Sequence, residues 1–263
     1  MLNNSKFEIT AIAALQDNYI WVLHHDRQAV VLDPGETAPV LEFLDIHGLR
    51  LEAILCTHRH HDHIGGIAKL REVYNVPVYG RQHPANPHIT HDLREGDRLD
   101  FDSLGIQFDI LEIPGHLDDH IAYLAPEILF CGDVLFGAGC GKNYEGGPAK
   151  LHHSLQRLAQ LPSSTRVYCA HEYTAANLRF ALACEPDNPA VQQRIVTTNE
   201  LRAANLPTLP TTIAVEKATN PFLRCTQPEI IRTLQQRGLT DTSDLGSSEL
   251  AVFTALREWK NRF

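Results

Sequence analysis

Residues 57–63 are Thr57-His58-Arg59-His60-His61-Asp62-His63, and they directly follow an apolar segment, residues 52–56, with the composition of a β strand. Core packing does not explain four histidines and one aspartate within six positions, because protonated imidazoles would repel each other. A divalent metal ion removes this conflict, since imidazole and carboxylate groups are common metal ligands. In an extended segment His58 and His60 point to the same side, whereas Asp62 and His63 can turn toward a second centre. The stretch therefore predicts a metal site at the end of a strand.

Four ligands are too few for two metal ions, so further ligands should follow later in the chain. Three candidates come directly after predicted strands or the turns behind them: His116 in Pro114-Gly115-His116, Asp133 in Cys131-Gly132-Asp133, and His171 in Cys169-Ala170-His171-Glu172. Each of these alone would be typical of a surface or capping residue. Together with the first motif they complete a set of seven candidate ligands: His58, His60, Asp62, His63, His116, Asp133 and His171.

The rest of the sequence predicts a mixed α and β body followed by a helical part. Up to about residue 173, short runs of β-branched and aromatic residues alternate with helical spacing, beginning with a hairpin at residues 19–24 and 28–33. Helical periodicity dominates afterwards, in residues 174–183, 190–204, 228–236 and 248–261. We therefore expect an α+β protein with a catalytic domain at residues 1–173 and a helical C-terminal domain at residues 174–263.

The composition disfavours several classes of protein. With 32 acidic and 23 basic residues among 263, and a net charge of -9, the chain lacks the basic surface that phosphate binding requires. No stretch approaches the roughly 20 consecutive apolar residues of a membrane helix, and residues 1–8 contain no apolar segment typical of a secretory signal. The six cysteines form no C-x-x-C pair. We expect a cytoplasmic monomer with buried, reduced cysteines and with no nucleic-acid or membrane partner.

The motifs, taken together, resemble a known family. Residues 57–63, 113–116, 131–133 and 169–171 match, in this order, the motifs of the metallo-β-lactamase superfamily. Further stretches resemble the glyoxalase II (hydroxyacylglutathione hydrolase) family: residues 139–142, 144–146, 171–174, 220–224 and 257–263. The resemblance covers essentially the whole chain. The superfamily motifs are specific for fold and metals, and the additional stretches narrow the reaction.

The resemblance implies an αββα metallo-β-lactamase sandwich, with the dinuclear site at one edge, and a helical C-terminal domain. It places His58, His60 and His116 on one metal ion and Asp62, His63 and His171 on the other, with Asp133 as the bridge. Two divalent ions are expected, with zinc favoured and iron or manganese as alternatives, because such ligands accept all three. Asp62 and Asp133 are the expected catalytic residues, and Asp62 would also orient the attacking hydroxide.

The resemblance also implies an activity, the hydrolysis of S-(2-hydroxyacyl)glutathione thioesters by a hydroxide that bridges the metals. With S-D-lactoylglutathione the products would be glutathione and D-lactate, in the second step of methylglyoxal detoxification. The residues that it nominates for binding the glutathione thioester are Lys142, Tyr144, Tyr173, Arg257 and Lys260. The spacing of Arg257 and Lys260 puts both on one helix face, although by itself such a pair would be ordinary solvated charge.

A persulfide dioxygenase with one catalytic iron is the main alternative, since it shares the H-x-H-x-D-H scaffold. Members of that kind generally lack the long helical C-terminal domain with its Arg and Lys residues. A nucleic-acid-cleaving relative is disfavoured by the net charge of -9, and a metal-storing module would not need a bridging carboxylate. The run His116-Leu117-Asp118-Asp119-His120 departs from the family pattern, and its two extra acids are expected to weaken the binding of an anionic ligand.

Overall fold

The protein was analysed as a computed structural model that describes residues 7–239 and 248–263. The chain divides into two compact units. Unit 1 comprises Met1–Glu112 and Asp119–Gly132, and unit 2 comprises Ile113–Asp118 and Asp133–Phe263. This is a different division from the predicted domain boundary between residues 173 and 174, which stays a prediction.

The larger sheet of unit 1 carries the histidine-rich stretch at the end of one of its middle strands. It has six strands in sequence order, of which the first three are antiparallel and the last four are parallel. Its strands are β1 (Glu8–Ala14), β2 (Asn18–His25), β3 (Gln28–Leu32), β4 (Arg50–Leu55), β5 (Val78–Gly80) and β6 (His91–Asp92). Strands β2 and β3 form the predicted hairpin, which is confirmed. Both are almost entirely buried, in accord with their unbroken apolar sequence.

Two helices of unit 1 bury their apolar faces against this sheet. Helix α1 (Ala38–Ile46) buries Val40 and Leu44, and helix α3 (Ile67–Tyr74) buries Ile67 and Leu70, all within one apolar cluster with side chains of β2 to β5. Between them, the single turn α2 (His61–Ile64) contains the last part of the histidine-rich stretch. The turn after β3 passes so close to α2 that a Cβ on Gly35 would lie 1.9 Å from the carbonyl oxygen of Asp62. Only glycine fits at that position.

Four further strands of unit 1 form an antiparallel ladder in the order β10-β9-β8-β7. They are β7 (Arg98–Phe101), β8 (Ile106–Glu112), β9 (Ile121–Ala125) and β10 (Ile128–Gly132). The buried Tyr123 hydroxyl of β9 lies 2.9 Å from the carbonyl oxygen of Cys56 and accepts a hydrogen bond from the Cys56 amide at 3.2 Å. This contact fixes the chain at the residue before Thr57, where the histidine-rich stretch begins.

Unit 2 is mainly helical. Its short strands form two antiparallel pairs, β11 (Leu135–Phe136) with β12 (Gly139–Cys140), and β13 (Arg166–Cys169) with β14 (Thr211–Thr212). Its helices are α4 (Gly147–Ala159), α5 (Thr174–Cys184), α6 (Pro189–Ala203), α7 (Ile213–Thr219), a 3-10 turn (Pro221–Leu223), α8 (Pro228–Gln236) and α9 (Glu249–Lys260). The predicted α+β class and the helical character of the chain after residue 173 are thereby confirmed. No helix among the described residues is long and apolar enough to cross a membrane.

Candidate metal centre

The loop after β4 and the turn α2 place four candidate ligands close together within unit 1. His58 and His63 are buried, while His60 and Asp62 are half-buried. His58 Nε2 lies 3.0 Å from His60 Nδ1, the rings of His58 and His63 are 4.0 Å apart, and His63 Nε2 lies 3.4 Å from Asp62 Oδ2. Imidazole nitrogen and carboxylate oxygen atoms at these separations are close enough to act as ligands of a common metal ion.

Asp33, at the end of β3, supports this group and was missed in the sequence analysis. Its Oδ1 accepts a hydrogen bond from the Thr57 amide at 2.8 Å, and its Oδ2 accepts one from the Thr57 hydroxyl at 2.7 Å. Asp33 Oδ2 also lies 3.1 Å from His63 Nδ1. A carboxylate beside Nδ1 favours the tautomer of His63 that carries its proton there, which would leave the Nε2 lone pair for a metal ion. Asp33 could have been found from the sequence because it is an aspartate at the end of an apolar strand, directly before Pro34-Gly35.

Two more supporting residues lie around the same group. The Asn18 amide nitrogen donates to Asp62 Oδ2 at 3.0 Å, which orients that carboxylate. His120 is fully buried and stacks on His58, with 4.6 Å between the ring centroids and 17° between the planes. Asn18 could not be identified from the sequence, because its contact joins positions 44 residues apart.

Unit 2 places the three remaining candidates together around one carboxylate. Asp133 Oδ2 lies 3.6 Å from His116 Nε2, and Asp133 Oδ1 lies 3.3 Å from His171 Nε2. The two oxygens therefore face two different imidazoles, which is the arrangement that a carboxylate bridging two cations would have. His116 Nδ1 lies 2.8 Å from the Lys142 carbonyl oxygen. A carbonyl only accepts, so Nδ1 carries the proton and Nε2 faces Asp133 as a metal ligand would.

The five residues predicted to bind substrate all belong to unit 2, in different environments. Tyr173 stacks on His171 at 4.6 Å with nearly parallel planes, and Tyr144 meets His116 edge-on at 5.3 Å. The exposed Lys142 ammonium lies 5.3 Å from the centre of the Tyr144 ring. Arg257, in contrast, is only 6% exposed and donates to main-chain oxygens.

Lys260, near the end of α9, has an altered acidity. Its ammonium lies 5.1 Å from the centre of the Phe180 ring and 5.6 Å from that of Phe263. Burial, together with the positive charges of Arg257 and Arg179, lowers the pKa of Lys260 to about 8. A bound anion would stabilise the charged form of Lys260, because it balances the positive charges around it.

The donor set fits a divalent metal ion. The described residues include groups of histidine and aspartate side chains whose ligand atoms are close enough to hold such an ion. These donors are imidazole nitrogen and carboxylate oxygen without a thiolate, a combination suited to zinc, iron or manganese.

Comparison with known proteins identifies the family. The model of the metallo-beta-lactamase superfamily matches residues 14–171, and the model of the hydroxyacylglutathione hydrolase C-terminus matches residues 172–263. The chain is 48% identical to the hydroxyacylglutathione hydrolase of Nitrosomonas eutropha, over 97% of this chain and 99% of the relative. It is 50% identical to hydroxyacylglutathione hydrolase 2 of Vibrio vulnificus, also over 97% of this chain and 99% of the relative. This chain belongs to the hydroxyacylglutathione hydrolase family.

Solved structures confirm the metallo-β-lactamase fold of this family member. The crystal structure of ETHE1 from Myxococcus xanthus is similar with a TM-score of 0.63 and 26% identity, covering 94% of this chain and 98% of that chain. The BLEG-1 B3 metallo-beta-lactamase is similar with a TM-score of 0.62 and 26% identity, covering 82% of this chain and 99% of that one.

The two acids that depart from the pattern of the hydroxyacylglutathione hydrolase family are both paired with cations. Within unit 1, Asp119 forms an ion pair with Arg59, the residue between His58 and His60. Within unit 2, Asp118 lies 2.8 Å from the Lys150 ammonium. The negative charge of each carboxylate is therefore balanced by a neighbouring cation. For this reason the two acids give less ground for expecting weak binding of an anionic ligand than the sequence alone did.

Proposed function

We propose that this chain is a dinuclear metallohydrolase that cleaves S-(2-hydroxyacyl)glutathione thioesters, such as S-D-lactoylglutathione, into glutathione and a 2-hydroxy acid. With that substrate the product is D-lactate, in the second step of methylglyoxal detoxification. The observation that carries the proposal is the Asp133 carboxylate, whose two oxygens face His116 and His171 separately. The names of the relatives, 48–50% identical over nearly the whole chain, support the choice of substrate.

In this proposal the candidate ligands hold two divalent ions. His58, His60 and His116 would hold one and Asp62, His63 and His171 the other. Asp133 would be shared, because one of its oxygens faces His116 and the other His171. The hydrogen bond of His116 Nδ1 to the Lys142 carbonyl oxygen and the Asp33 carboxylate beside His63 Nδ1 support it, because both favour Nε2 as the ligand atom. We propose zinc in both positions, with iron or manganese as alternatives.

The protein groups then have separate tasks in the reaction. Bound divalent ions lower the pKa of a water molecule to about 7 and polarise an adjacent carbonyl group. Asp62, which Asn18 holds through Oδ2, would orient the attacking hydroxide as well as bind a metal ion. The leaving group is a thiolate, which departs without a dedicated general acid.

Cationic and aromatic groups of unit 2 are proposed to bind the glutathione part, which carries two carboxylates. Lys142 and Lys260 supply positive charge, and Tyr144 and Tyr173 supply hydroxyl groups next to the rings of His116 and His171. Arg257 belongs to the predicted set, but its guanidinium is already bonded to the main chain. The monomeric state and the cytoplasmic location stay predictions.

A steady-state assay on S-D-lactoylglutathione, combined with metal analysis of the same preparation, tests the proposal. We expect thioester hydrolysis and two divalent ions per chain. A preparation that contains two ions and does not hydrolyse this thioester would refute the assignment.

A persulfide dioxygenase with one catalytic iron is the second candidate, because it shares the H-x-H-x-D-H motif that this chain has at residues 58–63. The relatives named hydroxyacylglutathione hydrolase and the match to that family's C-terminus favour the hydrolase. Oxygen consumption with glutathione persulfide separates the two. If it is faster than thioester hydrolysis, with one iron per chain, the chain is a dioxygenase.

A further inference from the structure

Arg257 on α9 is directed at the main chain of the segment after β12. Its Nη1 donates to the carbonyl oxygen of Cys140 at 2.9 Å and lies 3.3 Å from that of Gly141. Its guanidinium also lies over the Phe222 ring, 5.0 Å from the ring centre. The residue is only 6% exposed. A planar guanidinium suits this task, because its donors point in fixed directions and can serve two acceptors.

The segment that Arg257 holds, residues 140–142, is in contact with two candidate metal ligands. The Gly141 amide donates to the carbonyl oxygen of Val134, the residue after Asp133, at 3.2 Å. A Cβ on Gly141 would lie 1.9 Å from the Asp133 carbonyl oxygen and 3.0 Å from His116 Nδ1. The next residue, Lys142, provides the carbonyl oxygen that His116 Nδ1 approaches to 2.8 Å. A small shift of this segment would therefore displace both His116 and Asp133.

We propose that Arg257 is a positioning residue for the metal centre. By holding residues 140–142 from the side of α9, it sets the orientation of His116 and the position of Asp133. This inference rests on the proposed function for its activity readout only, since its effect on metal binding does not depend on the substrate. It also differs from the predicted role of Arg257 as a direct contact to glutathione.

The two roles make different demands on the side chain. A contact to a substrate carboxylate needs a positive charge that the ligand can reach. Positioning needs a rigid donor that reaches the carbonyl oxygens of Cys140 and Gly141. Arg257→Lys keeps the charge and loses the planar donor group, and Arg257→Met loses both. Zinc affinity in these two variants therefore separates the roles.

The experiment measures zinc affinity by chelator competition, and kcat and KM on two thioesters, S-D-lactoylglutathione and a small uncharged thioester. Loss of a residue that orients a metal ligand lowers metal affinity or activity by about 10- to 100-fold. We expect Arg257→Met to lower zinc affinity by about 10-fold or more and to lower kcat by the same factor on both thioesters. Arg257→Lys should also lose zinc affinity, to a smaller extent.

Arg237→Met is the matched control. The Arg237 guanidinium lies over the Trp259 ring at 4.5 Å, so this variant weakens the packing of α9 without touching residues 140–142. We expect its zinc affinity to stay within about twofold of the wild type, well inside the range for residues that orient ligands.

Two results would overturn the proposal. One is an unchanged zinc affinity in both Arg257 variants with a higher KM for the glutathione thioester alone, which would establish a substrate contact. The other is an equal loss of zinc affinity in Arg237→Met, which would indicate general loosening of α9. If the wild type hydrolyses neither thioester while Arg257→Met still loses zinc selectively, the proposed function fails and the positioning role stands.

Discussion

Asp33 Oδ2 lies 3.1 Å from His63 Nδ1, and the same carboxylate accepts two hydrogen bonds from Thr57. One buried side chain at the end of β3 therefore fixes the beginning of the histidine-rich stretch and its last histidine. Because Thr57 and His63 are 24 and 30 residues away in sequence, the strand order of the larger sheet creates this arrangement. Asp33 therefore lies beside Nδ1 of His63 without belonging to the proposed ligand set.

Replacement of Asp33 by Asn should weaken metal binding. An amide nitrogen would face a donor, either at Thr57 or at His63 Nδ1, and the negative charge that favours a proton on His63 Nδ1 would be lost. We expect zinc affinity to fall by about 10- to 100-fold, as measured by chelator competition. Asp26→Asn is the control, because Asp26 is exposed and has the same φ of 50° as Asp33. Equal zinc affinity in the two variants would disprove the role of Asp33.

Replacement of Asp133 by Ala should have a larger effect. It removes the carboxylate whose oxygens lie 3.6 Å from His116 Nε2 and 3.3 Å from His171 Nε2. We expect the purified variant to contain fewer than two metal ions per chain. Its activity should fall by more than about 100-fold, which is the upper end of the loss caused by removing a residue that orients a ligand. Asp102→Ala, at an exposed position, should retain both ions. Near-normal turnover of Asp133→Ala with full metal content would exclude the bridging role.

The elements that the sequence predicted correctly are those with a strong local pattern. The β2–β3 hairpin consists of two apolar runs, α3 and α8 have a clear apolar face, and each of these elements is present. Strand β1 was missed because it is an edge strand with mostly half-buried residues, so its sequence alternates weakly. Helix α4 begins at Gly147, three residues earlier than predicted, since Pro148 is tolerated in the first turn of a helix.

The candidate ligands could be predicted, whereas the residues that orient them could not. The H-x-H-x-D-H spacing by itself indicates that these side chains are metal ligands. Asn18, Asp33 and Tyr123 act through contacts with residues 24 to 67 positions away, and such contacts exist only after the strands have paired. Arg257 was nominated by the resemblance to the family, but its acceptors, the carbonyl oxygens of Cys140 and Gly141, have no signature in the sequence.

The ion pair between Arg59 and Asp119 should contribute measurably to stability. Their side chains are only 14% and 10% exposed, so the loss of one leaves the other charge poorly solvated. In a double-mutant cycle of Arg59→Ala and Asp119→Ala, we expect a coupling free energy of about 0.5–3 kcal/mol, measured by urea unfolding.

The pair of Lys150 and Asp118 provides the matched cycle for that measurement. Its side chains are 47% and 53% exposed, and exposed pairs typically contribute only about 0.2–1 kcal/mol. A coupling for Arg59 and Asp119 no larger than that for Lys150 and Asp118 would show that the acids at 118 and 119 are merely solvated charges.

The acidity of Lys260 predicts a pH dependence of substrate binding. Its pKa of about 8 means that the ammonium is present below pH 8 and is lost as the pH rises above it. An anionic substrate needs the charged form, so KM for the glutathione thioester should rise above pH 8, and kcat/KM should report the pKa of the free enzyme. Loss of a hydrogen bond to a charged group corresponds to about a tenfold rise in KM. Lys260→Arg should hold KM low to a higher pH, because a guanidinium stays protonated.

KM for a small uncharged thioester serves as the control and should not follow this titration. A rise in KM with the same midpoint for both thioesters, or in Lys260→Arg, would assign the titration to another group.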